Sequence, residues 1–367
     1  IAAATTNMPG ASITIGGNIE IYDFSKDGAP EAVIAALRQA SEDTSRLSVH
    51  PIFSDSSFDD TAAAELRHRG TWDDLIAIKK TGKIIFEELR FSNNCREDQQ
   101  RMNCLDFFIR LLEEDDTISN KNNKNKIGNL IYTQQESIEV EDARKVATAI
   151  RSAGKGTIET FQMPFEIPGG AGGFFDSMIA GASTPSETHE PFECVFNAVL
   201  DNGVQRFEAT TGCATIRNDG NRFRGSDSMW QNLNANTTLK SLSLDSSDDY
   251  EFPISPNVLR TLALRLRQTI IANHGLEEIH IKNSSILNNN GRKMLLDALQ
   301  LNKGSLLRLK TFTDYESNLG DIDVEDIWPE LRSELDYSQR LQDEIDAALK
   351  TNRAWKRYEA NAKLSPS

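Results

Sequence analysis

Apolar residues recur along this chain in one short spacing: an apolar place, two variable places, a second apolar place, one variable place, and a third apolar place. Phe86, Leu89 and Phe91 fit it, as do Ile127, Leu130 and Tyr132, then Ile158, Phe161 and Met163, and then Val204, Phe207 and Ala209. The cleanest copies are Leu239, Leu242 and Leu244, and Leu276, Ile279 and Ile281. Leu306, Leu309 and Thr311 make a weaker copy, and Thr44, Leu47 and Val49 fit upstream with threonine in first place. The last two places alternate, which predicts a short strand with one buried side. In a chain that is 38% hydrophobic, such a triplet arises by chance in roughly one window in twenty. The triplet alone therefore settles little.

Its surroundings say more. The central residues 47, 89, 130, 161, 207, 242, 279 and 309 are separated by 42, 41, 31, 46, 35, 37 and 30 positions, near the length of a strand-plus-helix unit. Helical spacing fills the gaps. It runs through Leu105, Phe107, Phe108, Ile109, Leu111 and Leu112, then through Val140, Ala143, Val146, Ala147, Ala149 and Ile150, with Gly154 placed to close that helix. Phe192, Cys194, Val195, Phe196, Ala198, Val199 and Leu200 form a third run, and Met294, Leu295, Leu296, Ala298 and Leu299 a fourth. A polar turn follows each, such as Asp201, Asn202 and Gly203, or Asn302, Lys303 and Gly304, and then a strand begins. Helix, turn and strand in that order have one economical arrangement. The strands join in a parallel sheet, the helices pack behind it, and no unit buries its apolar face without the next.

The triplets resemble the strand core of leucine-rich repeats, and the long helix-containing units are most similar to the ribonuclease-inhibitor-like class. The resemblance spans roughly residues 40 to 312, with the units beginning at 239 and 276 the best copies. It implies an α/β solenoid, a curved parallel sheet on the concave side and helices on the convex side, with helical caps. At the family's ninth place, where an asparagine bonds the turn backbone, Asn94 fits, Ser247 and Ser284 are substitutes, and Gly212 and Glu166 depart from the pattern. The expected organisation is an N-terminal capping strand and helix over residues 1–43, about eight irregular repeats over 44–320, and a helical cap over 321–367. The first segment carries Ile19, Ile21 and a helix from Ala29 to about Ala40. The last has Pro329 near its start and an apolar side of Leu331, Leu335, Leu341, Ile345 and Leu349. Its Asn352-Arg353 pair resembles the helix that follows repeats in proteins of this type.

Composition narrows the partners. Forty basic against 55 acidic residues give a net charge of -15, which disfavours nucleic acid and anionic membranes and favours a basic protein partner. No apolar run approaches the length of a membrane span. Cys95, Cys104, Cys194 and Cys213 lack paired spacing, so buried free thiols in a reducing, cytoplasmic setting are expected. The chain starts Ile1-Ala2-Ala3-Ala4, which leaves a removed leader open, and the sequons at Asn236 and Asn283 would matter only after secretion.

Catalytic patterns do not emerge. The glycine-rich stretch 168–173 lacks the lysine and serine or threonine of a phosphate loop and reads as an insertion; residues 154–157 read as a helix end. The acidic stretch Asp321 to Asp326 has Asp326 where a calcium loop needs glycine, and reads as a helix start. The five histidines make no metal spacing, and no nucleophile elbow occurs. Trp72 and Trp230 lie in helix-like stretches and are expected in packing positions. No cofactor and no metal are expected.

A solenoid implies its own site. The variable strand residues would line the concave face: Arg46 and Ser48, Glu88 and Arg90, Asn129 and Ile131, Thr160 and Gln162, Arg206 and Glu208, Ser241 and Ser243, Glu278 and His280, and Arg308 and Lys310. Within that row Arg46, Arg90, Gln162, Arg206, Glu208, Glu278, His280 and Arg308 are the expected partner contacts, with Arg90, Arg206 and His280 foremost because arginine and amphipathic rings contribute most at interfaces. The expectation is a monomeric scaffold that binds a protein without catalysis. The alternatives are a GTPase-activating or other regulatory repeat protein, an adaptor working through its terminal helices, and a hydrolase with a dispersed site.

Overall fold

A computed structural model describes residues 6–8, 11–14, 18–21, 46–49, 52–53, 76–77, 85–113, 126–134, 138–165, 190–211, 227–246, 256–282, 289–302, 305–310 and 329–364. The strands are β1 (Thr6–Met8), β2 (Ala11–Thr14), β3 (Asn18–Ile21), β4 (Arg46–Val49), β5 (Ile52–Phe53), β6 (Ile85–Asn93), β7 (Ile127–Gln134), β8 (Ile158–Phe165), β9 (Arg206–Thr211), β10 (Ser241–Ser246), β11 (Glu278–Lys282) and β12 (Arg308–Lys310). The helices are α1 (Asp98–Leu112), α2 (Val140–Ser152), α3 (Glu190–Asn202), α4 (Asp227–Ala235), α5 (Pro256–Ala272), α6 (Asn289–Leu301) and α7 (Pro329–Leu364). The chain is α/β, with parallel strands alternating with helices. It divides into two compact units, residues 1–173 with 190–207, and residues 174–189 with 208–367. That division falls inside the 44–320 stretch, not at its ends.

In the first unit β4 and β5 pair with β6, β6 with β7, and β7 with β8, all in parallel. The register follows the apolar triplets. Leu89 stands opposite Leu130, which stands opposite Phe161, and Phe86 and Ile158 flank Ile127. These residues are at most 2% exposed, and each large side chain so buried is worth about 1.5–3 kcal/mol. Aromatic rings fill the space between strands and helices. Phe91 lies 4.7 Å from Phe108 of α1 and 5.0 Å from Phe53 of β5, and Phe207 stacks on Phe161 at 6.0 Å and meets Phe196 of α3 at 5.4 Å. The first strand departs from the pattern. A register shift between Leu47 and Ser48 sets Leu47 beside Phe86 and Val49 beside Leu89, three and two places from the alignment the triplets imply. Ahead of it, β1, β2 and β3 form a separate antiparallel sheet. Ile19 and Ile21 lie in β3 as a strand, and the expected helix of 29–40 lies outside the described residues.

In the second unit β10, β11 and β12 pair in parallel, with Leu242, Ile279 and Leu309 in register and each at most 5% exposed. Trp230 of α4 is 3% exposed and sits in the packing; Trp72 lies outside the described residues. Helix α7 begins at Pro329, where its missing N–H costs nothing. It buries Leu341, Ile345 and Leu349 and packs against α6.

Asparagine recurs at the ends of three of these helices and again within α7. Asn202 Nδ2 donates to the carbonyls of Ile150 (2.7 Å) and Gly154 (2.8 Å) at the end of the preceding helix. Asn273 Nδ2 does the same to Leu233 (2.6 Å) and Asn236 (2.9 Å), while its Oδ1 accepts from the N–H groups of Gly275 (2.8 Å) and Leu276 (2.7 Å). Asn302 donates to the Ile270 carbonyl, and Asn352 donates to Asn302 (3.4 Å) and Leu306 (3.0 Å). All four are at most 6% exposed. A helix leaves its last carbonyls without partners; Asn202, Asn273 and Asn302 supply them from the end of the next helix, while Asn352 bonds the turn between α6 and β12. The turns are tight. Gly154 takes φ 77°, which a side chain disfavours, and a Cβ at Gly275 would meet the Thr237 carbonyl oxygen at 2.7 Å.

Candidate functional site

Alternation along a strand sends Leu89 and Phe91 to the helix side and Glu88 and Arg90 to the other. The parallel register then aligns that second side into rows. In the first unit one row is Glu88, Asn129 and Thr160, and the next is Arg90, Ile131 and Gln162. Asn129 donates to Glu88 Oε2 at 3.3 Å, and Arg90 Nε lies 3.6 Å from Glu88 Oε1. The Arg90 side chain remains 46% exposed. Ile131, between Arg90 and Gln162, is only 7% exposed, and Gln162 is half-buried. Arg206 begins β9 at an exposed position, and Glu208, in the same strand, is exposed as well. Arg46 lies beside Ile85 in the backbone register, not beside Glu88.

In the second unit one row is Ser241, Glu278 and Arg308, and the next is Ser243, His280 and Lys310. Ser241 Oγ donates to Glu278 Oε2 at 3.4 Å, and Arg308 Nη1 lies 3.8 Å from Glu278 Oε1 with its side chain 67% exposed. His280 is half-buried between Ser243 and Lys310, and Ser243 is 8% exposed. Thus Arg90 and Gln162 share a row in one unit, and Glu278 and Arg308 share a row in the other with His280 one step along. These are wet, mixed-charge rows. Their ion pairs, half open to solvent, are worth at most about 1 kcal/mol and break readily when another surface arrives.

A second cluster, buried in the first unit, is absent from the apolar pattern. Asn93, 0% exposed, donates through Nδ2 to Tyr132 Oη (3.3 Å) and to the Arg101 carbonyl (3.4 Å), and its Oδ1 accepts from the Cys95 N–H (3.3 Å). Asn93, next to the ninth-place Asn94, thus bonds the turn backbone at the end of β6. Tyr132 donates to Gln134 Oε1 and Gln134 to Asp142 Oδ2, both at 2.8 Å. Arg101 Nε stands 2.8 Å from the same Asp142 oxygen, an ion pair whose N–H is not aligned as a hydrogen bond, and Arg101 Nη1 reaches Asp98 at 2.9 Å. Burial alone would lower the Arg101 pKa, but Asp142, Asp98 and Glu139 outweigh it and raise it. Burial, and then the adjoining Cys95 thiol, push the Cys104 thiol well above its ordinary range. Burial likewise lifts the Tyr132 hydroxyl, against the pull of the Asn93 hydrogen bond. Cys95 and Cys104 are both 0% exposed and form no disulfide, while Cys194 is half-buried. Buried hydrogen bonds and an ion pair thus tie β6, α1, β7 and α2 together.

Among the described residues, no three His, Cys, Asp or Glu side chains stand together as metal ligands, and no helix is long and apolar enough to cross a membrane. The stretches 168–173 and 321–326, Cys213, and the ninth-place Ser247 and Ser284 lie outside the described residues. No protein-family model, curated protein or solved structure matches the chain.

Proposed function

We propose that this chain is a leucine-rich-repeat protein of the ribonuclease-inhibitor-like kind, a monomeric scaffold that binds a protein partner on its strand face and performs no chemistry. One observation carries the reading. Parallel sheets are ordinarily covered on both faces, yet in each unit the side opposite the helices holds an exposed charged residue, Arg90 at 46% in one and Arg308 at 67% in the other. A regular, rigid face of this sort loses little conformational freedom on docking. The asparagines at the helix ends support the repeat assignment, since Asn202, Asn273 and Asn302 each bond a carbonyl of the helix before them. The net charge of -15 speeds encounter with a basic partner at low salt, and the mixed rows then set the register of the complex. The cytoplasm, where thiols such as Cys95 and Cys104 stay reduced, is the compartment this reading favours.

The test is capture from a native lysate at low and moderate salt, with mass spectrometry of what is retained. The expected result is a stoichiometric protein partner that is lost with Arg90→Ala/Arg206→Ala/His280→Ala and kept by the helix-side variant Lys145→Ala/Arg151→Ala. Retention by both variants, or no partner at either salt, overturns the proposal.

A further inference from the structure

Two thiols of the first unit lie against each other. Cys95 follows the end of β6, and Cys104 stands in α1, where it shares the buried side of the helix with Arg101, Phe108 and Leu111. The Cys104 thiol is hydrogen-bonded to the Cys95 thiol, and both residues are 0% exposed. Asn93 sets that contact. Its Oδ1 accepts from the Cys95 N–H at 3.3 Å, and its Nδ2 donates to the Arg101 carbonyl at 3.4 Å, one helical turn before Cys104. One buried amide thus holds the Cys95 backbone against the turn of α1 that leads into Cys104.

The chemistry open to such a pair is narrow. A structural metal centre needs four ligands, and among the described residues no three His, Cys, Asp or Glu side chains stand together. A nucleophilic thiolate needs a lowered pKa and access, whereas burial and the neighbouring thiol hold the proton on Cys104. Oxidation to a disulfide asks for less. The fold has already closed the loop 95–104 and brought its two sulfurs into contact, so the entropy lost on cross-linking the unfolded chain is spent in folding.

Access to the pair runs through the turn between the two cysteines. Arg96 and Glu97 are exposed there, and Glu97, the N-cap of α1, makes no side-chain capping bond. An uncapped first turn opens at small cost, and its opening uncovers the sulfurs without unfolding the sheet.

We propose that Cys95 and Cys104 are a reversible dithiol–disulfide couple, oxidised by a low-molecular-weight disulfide such as glutathione disulfide. One cysteine, as its thiolate, attacks the small disulfide; that S–S bond breaks, a mixed disulfide forms and one glutathione leaves as thiolate. The other cysteine, its proton lost to solvent, attacks the protein sulfur of the mixed disulfide and releases the second glutathione. Two cysteine thiols and one glutathione disulfide become one protein disulfide and two glutathione thiols. In a reducing compartment the pair stays as thiols; in an oxidising one the new bond staples the end of β6 to α1. Neither cysteine belongs to the strand face, so this inference and the binding reading fail separately.

The experiment equilibrates the full chain in glutathione buffers graded from reducing to oxidising, once folded and once in denaturing urea, each approached from the reduced and from the oxidised side. Free thiols are then blocked with N-ethylmaleimide, the chain is cut with trypsin and the peptides are weighed by mass spectrometry. The expected product is a peptide pair joined through Cys95 and Cys104, two hydrogens lighter than its separate parts, which is lost again in reducing buffer. Its equilibrium constant should be about tenfold or more larger in the folded chain than in urea, and the oxidised chain should unfold at higher urea than the reduced one. Thiols that stay reduced in the most oxidising buffer, or glutathione adducts that persist on either cysteine, overturn the proposal. So does an equilibrium constant no larger in the folded chain than in the denatured one.

Discussion

Removing the Asn273 side chain probes the repeat most sharply. Asn273 is 2% exposed and makes four hydrogen bonds, two donated to the Leu233 and Asn236 carbonyls and two accepted from the Gly275 and Leu276 N–H groups. Alanine in its place leaves two acceptors and two donors at a buried turn without partners. At about 1 kcal/mol net for each bond, the loss comes to about 4 kcal/mol, a value reached only when a buried network is broken. Urea unfolding followed by the emission of Trp230, buried in the same unit, measures it. Gln268→Ala, on an exposed position of α5, serves as the control and should shift stability by less than about 0.5 kcal/mol. Asn273→Asp separates the two halves of the side chain. It keeps the acceptor for Gly275 and Leu276 but sets a carboxylate against two carbonyls, so at neutral pH it should recover little. A loss below about 1 kcal/mol for Asn273→Ala would refute the role given to the asparagines.

Two further predictions concern the buried cluster. Arg101→Ala leaves the Asp142 carboxylate, 0% exposed, without its cation, and should cost about 3–5 kcal/mol; Arg101→Met/Asp142→Asn should regain much of that, and equal loss in both proteins would count against the ion pair. Cys104 and Tyr132 hold their protons above ordinary values near 9.0 and 10.0. Because these pKa values are raised in the folded state, the unfolded chain gives up the protons first. Stability is therefore full below about pH 8.5 and falls as pH climbs further, by up to about 1.4 kcal/mol per pH unit for each proton. Denaturation measured at about pH 8, 9 and 10 should show this fall, with a shallower slope in Cys104→Ala; a flat or rising profile, or an unchanged slope in the variant, would contradict it.

The parts of the fold legible in the sequence are those set by periodicity. Leu89, Leu130 and Phe161 align in one unit, and Leu242, Ile279 and Leu309 in the other, because a strand with one buried side tolerates no slip. The helices around Leu105, Val146, Phe196 and Leu295 follow from three- and four-residue spacing. Strand β4 is too short for its pattern to hold register, and a shift between Leu47 and Ser48 moves it. The sheet of β1 to β3 gives only a weak apolar signal, of which Ile19 and Ile21 alone stand out.

The rows of the strand face are legible in the sequence, but their exposure is not. Alternation places Ile131 and Ser243 on the outer side, yet both are buried there, since alternation reports direction and not what the neighbouring rows cover. The asparagine contacts were present as turns at Asn202 and Asn302 and as the pair Asn352-Arg353, but a polar residue before a strand reads as an ordinary turn until its long-range partner is known. The Asn93, Tyr132, Gln134, Asp142 and Arg101 network joins four elements, β6, α1, β7 and α2, and no local pattern announces it.

The most direct test of the proposed binding face is site-specific photo-crosslinking of the captured complex. A photoreactive residue would replace, one at a time, Arg90, Gln162 or Arg308 on the strand side, and Lys145, Arg151 or Arg267 on the helices. The account predicts crosslinks to the partner from the strand positions and none from the helix positions. Crosslinks confined to the helix positions would contradict it.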